Sequence, residues 1–408
     1  MSLAWLVVDF NSYFASVEQQ LDPRLRGKPV AVVPMANVDS TCAIAASFEA
    51  KKFGVKTGTS VADARRMCPG IIFIEAQHDR YVRYHHQLIT CIESCLHVDR
   101  VMSIDEVACE LPKNYRTRER ATELAQKIKA TIARNAGECL TCSIGIAPNV
   151  YLAKTASDMM KPDGLVFIEK EQLPHILHSL QPRDLCGIGK KMDLRLYARG
   201  IRTVEQLCAL DKDAMREIWN GYEGERMWRF LRGEDLGFRE TATTTLGHSH
   251  VLPPEERNDP AAARVLNRLL QKAAMRLRHI GYLAGALSVS LKYINGTRWS
   301  DDLVFQETSD TVHFLHSFKD LWQRRPMTTV PPIAVGVTLH RLVALANSTP
   351  ALFHDGPHRD KLNTALDKLN ERFGKNTVYF GGAHGALKSA PMRIAFTHVP
   401  DLQVESDD

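Results

Sequence analysis

The apolar positions of this chain fall into short unbroken runs separated by polar turns, the pattern of buried strands alternating with helices. Leu3–Val8 is the first such run; it ends at Asp9-Phe10, ahead of the polar pair Asn11-Ser12. A helical pattern starts at Tyr13, and Leu21-Asp22-Pro23 breaks it. Lys28–Val33 and Cys42–Ala46 read as short strands. Phe48–Phe53 reads as a helix stopped by Gly54, and Ser60–Cys68 as a second helix ended by Pro69-Gly70. Ile71–Glu75 is then a strand and Asp79–Cys95 a long helix, in which the pair His85-His86 has no partner at metal-site spacing and reads as surface. Val101–Leu111 suits one buried strand, followed by a helix over Thr117–Asn135 with Leu124, Ile128 and Ile132 on its apolar face. Thr141–Ile146 closes this sheet.

Beyond it, residues 170–233 are helical in pattern, and Glu240–Thr245 is a polar linker. A second β/α set follows: helix Pro260–Ile280, strands Ala286–Tyr293 and Asp302–Gln306, helix Val312–Gln323 and strand Ile333–His340. A helix over Asp360–Phe373 carries Leu362, Leu366 and Leu369 on one face, and residues 376–408 read as a disordered acidic tail. With 408 residues, two to four domains are expected.

Composition narrows this little. A hydrophobic content of 44% supports ordinary cores, and a net charge of +5 permits nucleic-acid binding without demanding it. No run reaches the roughly 18 apolar residues of a membrane span, and no signal-peptide pattern opens the chain, so a cytoplasmic protein is expected. The nine cysteines read as reduced thiols. Cys139-x-x-Cys142 and Cys91-x-x-x-Cys95 lack the companion pair that a zinc site needs.

The chemistry lies in the acids. Asp105 and Glu106 interrupt an otherwise apolar strand, where side chains alternate faces and an unpaired carboxylate is costly to bury. Either this is an edge strand with its acids in water, or a bend brings both to one metal site. Asp9, at the end of a buried strand and beside a helix start, supplies a third carboxylate. Hard oxygen donors of this kind suit Mg²⁺, and three of them can hold two ions for in-line phosphoryl transfer.

Asp9–Glu18 and Ser103–Glu106 resemble the corresponding motifs of Y-family (translesion) DNA polymerases, of the DNA polymerase IV-like branch. Ala46–Val55, Gly145–Lys154 and Ala156–Gly164 follow in the family's order, and the resemblance is dense from residue 1 to about 235. It implies an α+β multidomain, right-hand polymerase. The expected parts are a βαββαβ palm (1–10 and 77–168), small fingers (11–76), a helical thumb with a helix-hairpin-helix (169–234), a linker (235–246) and an α/β little-finger domain (247–345), with 346–408 as a tail.

It also implies a role for each residue. Asp9, Asp105 and Glu106 are catalytic and hold two Mg²⁺ ions, with the Phe10 carbonyl as a further ligand. Tyr13, Phe48, Lys51 and Lys161 line the nucleotide site, and Phe14 is the steric gate against a 2′-hydroxyl. Phe48 and Lys51 depart from the family's Tyr and Arg: the first has no hydroxyl, and the second is a point charge in place of a bidentate fork. Gly187-Ile188-Gly189-Lys190-Lys191 resembles a hairpin whose backbone amides and lysines grip DNA phosphates. Lys292, Arg298 and Arg341 are loose matches to little-finger phosphate contacts. Leu352-Phe353 resembles the end of a sliding-clamp peptide, though the usual leading Gln is missing.

The expected activity is template-directed addition of dNTPs to a primed DNA end by a monomer, at low fidelity and without proofreading. The alternatives are an inactive polymerase-like scaffold, against which retention of all three carboxylates argues, and a nucleotidyl cyclase, against which the DNA-gripping segments argue.

Overall fold

Strand β1 (Trp5–Phe10) is buried along its whole length and forms the middle of a five-stranded sheet. The structure, a computed structural model, describes residues 3–35, 38, 39, 41–239, 242–348, 356–389, 391–394 and 399–402. The chain divides after Arg239 into two compact units.

In the first unit, α1 (Tyr13–Leu21) leaves β1 and leads into a three-stranded sheet of β2 (Val30–Val33), β3 (Ala45–Ala46) and β4 (Ile72–Glu75). Helices α2 (Phe48–Lys51) and α3 (Val61–Met67) lie between β3 and β4 in the chain. Their small core holds Ala46, Ala50, Val55, Ala64 and Cys68, and Ser47 and Ser60 cap the two helices through their side chains. After α4 (His78–Glu93) come β5 (Arg100–Ser103), β6 (Glu106–Glu110), α5 (Arg118–Asn135), β7 (Cys142–Ala147), α6 (Val150–Met159) and β8 (Leu165–Phe167). The central sheet runs β5-β6-β1-β7-β8, with β6 and β7 antiparallel to β1 and β8 parallel to β7. β7 is therefore internal, and β8, which the sequence reading missed, forms the edge.

Val101–Leu111 is not one strand. It is a hairpin whose two-residue turn is Ile104-Asp105. The polar residues make the break: the Ser103 hydroxyl donates to the Asp105 carboxylate at 2.6 Å and accepts from the Asp105 amide at 3.3 Å. Ile104 stays buried beneath the turn.

Helix α6 packs on β1 and β7 because Gly145 has no side chain. A Cβ there would lie 2.0 Å from the Ala153 carbonyl oxygen and 2.3 Å from the Ser157 nitrogen. The other face of α6 shares one core with α7 (Lys190–Ala198), α8 (Val204–Cys208), α9 (Lys212–Trp219) and α10 (Tyr222–Phe230) through Leu185, Ile188, Leu196, Leu207 and Met215.

The second unit is an antiparallel sheet, β11-β10-β12-β9, packed against α11 (Asp259–His279) and α12 (Thr311–Arg324). Its strands are β9 (Thr245–Val251), β10 (Tyr282–Tyr293), β11 (Arg298–Thr308) and β12 (Pro332–Ala344). Strand β9 lies where the sequence reading ended a linker and expected no strand. Helix α13 (Gly356–Phe373) docks by its polar side. Asn363 is buried on Asp310, and Arg278 grips Asp367 at 2.6 Å, while Leu362 and Leu369 are exposed. The expected disordered tail is also corrected in part: Ala383, Ala386 and Met392 are buried, and Phe380 pairs with the Gln271 side chain.

Candidate active site

Antiparallel register sets Asp9 directly opposite Glu106. The Asp105 carbonyl accepts the Phe10 amide at 2.8 Å, so the hairpin turn is tied to the end of β1 and all three predicted acids share one end of the sheet. Lys154, one turn into α6, reaches Asp9 at 2.6 Å, Glu106 at 2.8 Å and Asp158 at 2.9 Å. Lys161, just past the same helix, reaches Asp9 at 2.7 Å and Asp158 at 2.8 Å.

Burial raises the carboxyl pKa of Asp105 and of Glu106, the latter against the pull of the Lys154 ammonium. Burial would raise Asp158 as well, but Lys154 and Lys161 outweigh it and hold that carboxyl below its usual range. Desolvation acts to lower the pKa of Lys154; Asp9, Glu106 and Asp158 more than reverse it. Asp105 and Glu106 thus sit where positive charge is still wanted. Among the described residues no three His, Cys, Asp or Glu side chains form a ready metal cage, and the Lys154 ammonium lies on both Asp9 and Glu106. Hard, buried, under-neutralised oxygens nonetheless fit a hard divalent cation.

The nucleotide-site candidates lie close by. Lys51 donates to the Ser12 hydroxyl at 2.7 Å and stands 4.8 Å over the Phe48 ring. Burial, then the Lys161 charge, pulls its pKa down. Arg26, Phe48, Lys51 and Lys52, together with the acids Glu49, Glu138 and Asp163, line an open cavity of about 610 Å³ whose lining does not include Asp9, Asp105 or Glu106. Tyr13 is buried, with its hydroxyl donating to the Tyr81 carbonyl at 2.6 Å, while Phe14 stacks on the Tyr81 ring at 4.4 Å. Asn11 ties the Pro162-Asp163 turn to β7, accepting the Asp163 amide at 2.8 Å and donating to Ser143 at 3.0 Å.

The remaining candidates are elsewhere. Gly187 takes a left-handed φ of 82°, and Gly189 caps α7 without a side chain, leaving its first amides and the exposed Lys190 and Lys191 facing solvent. In the second unit Lys292 and Arg298 are exposed register partners, and Arg341 lies at the other end of β10, beside Gly285. Leu352 and Phe353 lie outside the described residues.

Lys154 and Asp158 were missed as site residues, although their i,i+4 spacing after a strand that neighbours Asp9 was visible. His85 was misread as surface. It is buried on the stripe Tyr81, His85, Leu88, Ile92, and its Nδ1 lies 2.8 Å from the Ile104 carbonyl under the acidic turn. Burial brings its pKa down from 6.5 to about 4. Unfolded His85 takes a proton near pH 6.5 and the folded one only near pH 4, so its contribution is present above about pH 6.5 and lost as pH falls. Between pH 7 and pH 5 the protein is expected to lose about 2 kcal/mol from this group. His85→Gln should flatten that difference by the same amount, read as urea-unfolding free energies at the two pH values.

Residues 8–158 match the family described as impB/mucB/samB, and residues 243–351 match that family's C-terminal domain. A DNA polymerase IV of Moorella thermoacetica is 30% identical over 92% of this chain and 94% of its own. DNA polymerase IV 1 of Bacillus subtilis is 28% identical over 92% and 91%. Among solved structures, a Y-family DNA polymerase chimera of Dbh and Dpo4 matches with a TM-score of 0.70 at 24% identity, covering 84% of this chain and 99% of that one. DinB from Sulfolobus solfataricus matches at 0.54 and 24%, covering 83% and 98%.

Proposed function

The chain belongs to the impB/mucB/samB family of Y-family, DinB-like DNA polymerases, and we propose that its acidic cluster joins a dNTP to a primed DNA end. It is a DNA-directed DNA polymerase of the translesion class, a nucleotidyltransferase that uses divalent metal ions. In our reading Asp9, Asp105, Glu106 and the Phe10 carbonyl hold two Mg²⁺ ions. Such ions supply charge stabilisation of the attacking and leaving oxygens. The observation that carries this assignment is the register of Asp9 against Glu106, with Asp105 tied to Phe10.

The protein's own groups do the rest. Lys161 and Lys51, each already on a site hydrogen bond, place two ammonium charges beside the cavity and orient the triphosphate electrostatically. Lys51 does this as a point charge, and Phe48 packs against it. Phe14, fixed by the Tyr81 ring, bars the 2′-hydroxyl. The amides of Gly187 and Gly189 with Lys190 and Lys191 hold DNA phosphates, and Lys292, Arg298 and Arg341 add contacts from the second unit. Clamp binding through Leu352-Phe353, a monomeric state and a cytoplasmic location complete the reading. No described helix is long and apolar enough to cross a membrane, and the cysteines are unpaired. An inactive scaffold has no support in these residues, since the acids and both lysines are in place.

Primer extension with Mg²⁺ and dNTPs tests the function. Within it, Phe14→Ala should raise ribonucleotide use relative to deoxynucleotide about 10-fold or more, the scale a lost steric contact sets. An unchanged ratio, measured as relative kcat/KM, removes Phe14 from the gate.

A further inference from the structure

Lys154 already fills a place where a cation is required. Its side chain is only 9% exposed, and its ammonium lies 2.6 Å from Asp9 and 2.8 Å from Glu106. The backbone register holds those two carboxylates opposite each other on adjacent strands, whatever lies between them. Left without a cation they would repel at close range in a poorly solvated site. Asp158 differs. It sits four residues along the same helix, 2.9 Å from the ammonium, and belongs to no strand of the sheet. Lysine has a flexible four-carbon stem and a compact charge, so a short swing can exchange one set of oxygens for the other.

We propose that Lys154 is a resident counter-ion that a divalent cation displaces: it bridges Asp9 and Glu106 in the metal-free protein and withdraws onto Asp158 when they take the metal. It is a positioning residue, acting through the two carboxylates and not on the substrate. The proposal rests on Asp9 and Glu106 being metal ligands. Ammonium and metal compete for the same oxygens, so each weakens the other's hold, and that coupling is reciprocal.

The test uses the full chain without DNA or nucleotide, with Mn²⁺ as the probe. Binding is followed by electron paramagnetic resonance and unfolding by thermal midpoint. In metal-free buffer Lys154→Met should melt at least ~4 °C below wild type. At saturating Mn²⁺ that gap should close by more than half, and the variant should bind Mn²⁺ at least ~5-fold more tightly. Lys154→Gln, which removes the charge but keeps a hydrogen-bond donor, should behave alike. A merely structural lysine would leave the gap constant, and a constant gap overturns the proposal, as does Mn²⁺ affinity equal to or weaker than wild type. It is overturned equally if neither variant folds even in saturating Mn²⁺. Asp9→Asn and Glu106→Gln separate the two readings. If they abolish the Mn²⁺ site while the Lys154 variants fail to tighten it, only the displacement is wrong. If they bind Mn²⁺ as wild type does, the ligand assignment fails, and this proposal with it.

Discussion

Asp9→Asn is expected to lower single-nucleotide primer extension by about 10³-fold or more while leaving a folded protein. Both lysines reach Asp9, at 2.6 Å and 2.7 Å, and it is the acid that faces Glu106 across the sheet. The amide keeps the shape but replaces one acceptor oxygen with an NH₂ donor, aimed at an ammonium group or at the place of a metal. Electrostatic stabilisation of transferring oxygens supplies several kcal/mol, and each 1.4 kcal/mol is tenfold in rate. Folding is less affected, because Glu106 and Asp158 still partner Lys154 and Asp158 still partners Lys161. Rapid-quench kinetics on a saturating primed template, with circular dichroism alongside, read both quantities. Activity within tenfold of wild type would remove Asp9 from the reaction.

Gly145→Ala is expected to be strongly damaging, a single methyl group set against the backbone of a packed helix. Its Cβ would stand 2.0 Å and 2.3 Å from backbone atoms of α6, which no rotamer change relieves. Overpacking typically costs ~1–3 kcal/mol; with backbone on the other side we expect the upper end, about 3 kcal/mol, or a melting decrease of ~6–12 °C. The helix that must move carries Lys154, so extension should fall with stability. Gly381→Ala, with nothing within 4 Å of its Cβ, serves as the comparison and should change little. Equal melting of the two variants would contradict the packing argument.

The apolar run Leu3–Val8 and the small and apolar stretch Cys142–Ile146 made two central strands legible, because a strand buried on both faces needs no alternation. Strand β9 was not legible for the opposite reason. Of Thr245–Val251 only Leu246 and His250 are buried, and a histidine at an inward position hides the period. The acids at 105 and 106 were visible, but taking 101–111 as one strand hid the hairpin that joins them. Only a tertiary partner, the Phe10 amide, fixes that turn against β1. His85 was misjudged by its chemistry despite its spacing, which put it on the buried stripe of α4. Lys154 was passed over because a lysine inside a helix is ordinarily solvated. Three carboxylates converging on it reverse that expectation, and their convergence is a property of the fold.

The two-residue turn at Ile104-Asp105 also sets what kinds of change the family's chemistry can survive in this chain. Substitution is absorbed: with Phe48 and Lys51 where the sequence resemblance leads one to expect Tyr and Arg, Asp9 and Glu106 still face each other. Insertion or deletion between Ser103 and Glu106 is a different matter. A one-residue slip moves every side chain of a strand to the opposite face. A slip of β6 against β1 would put Val107 opposite Asp9 and exchange the two buried faces that Val107, Ala108 and Cys109 fill. Change at this point therefore has room in side chains and little in length, because the spacing from Ser103 to Glu106 sets the turn and with it the placing of the two acids.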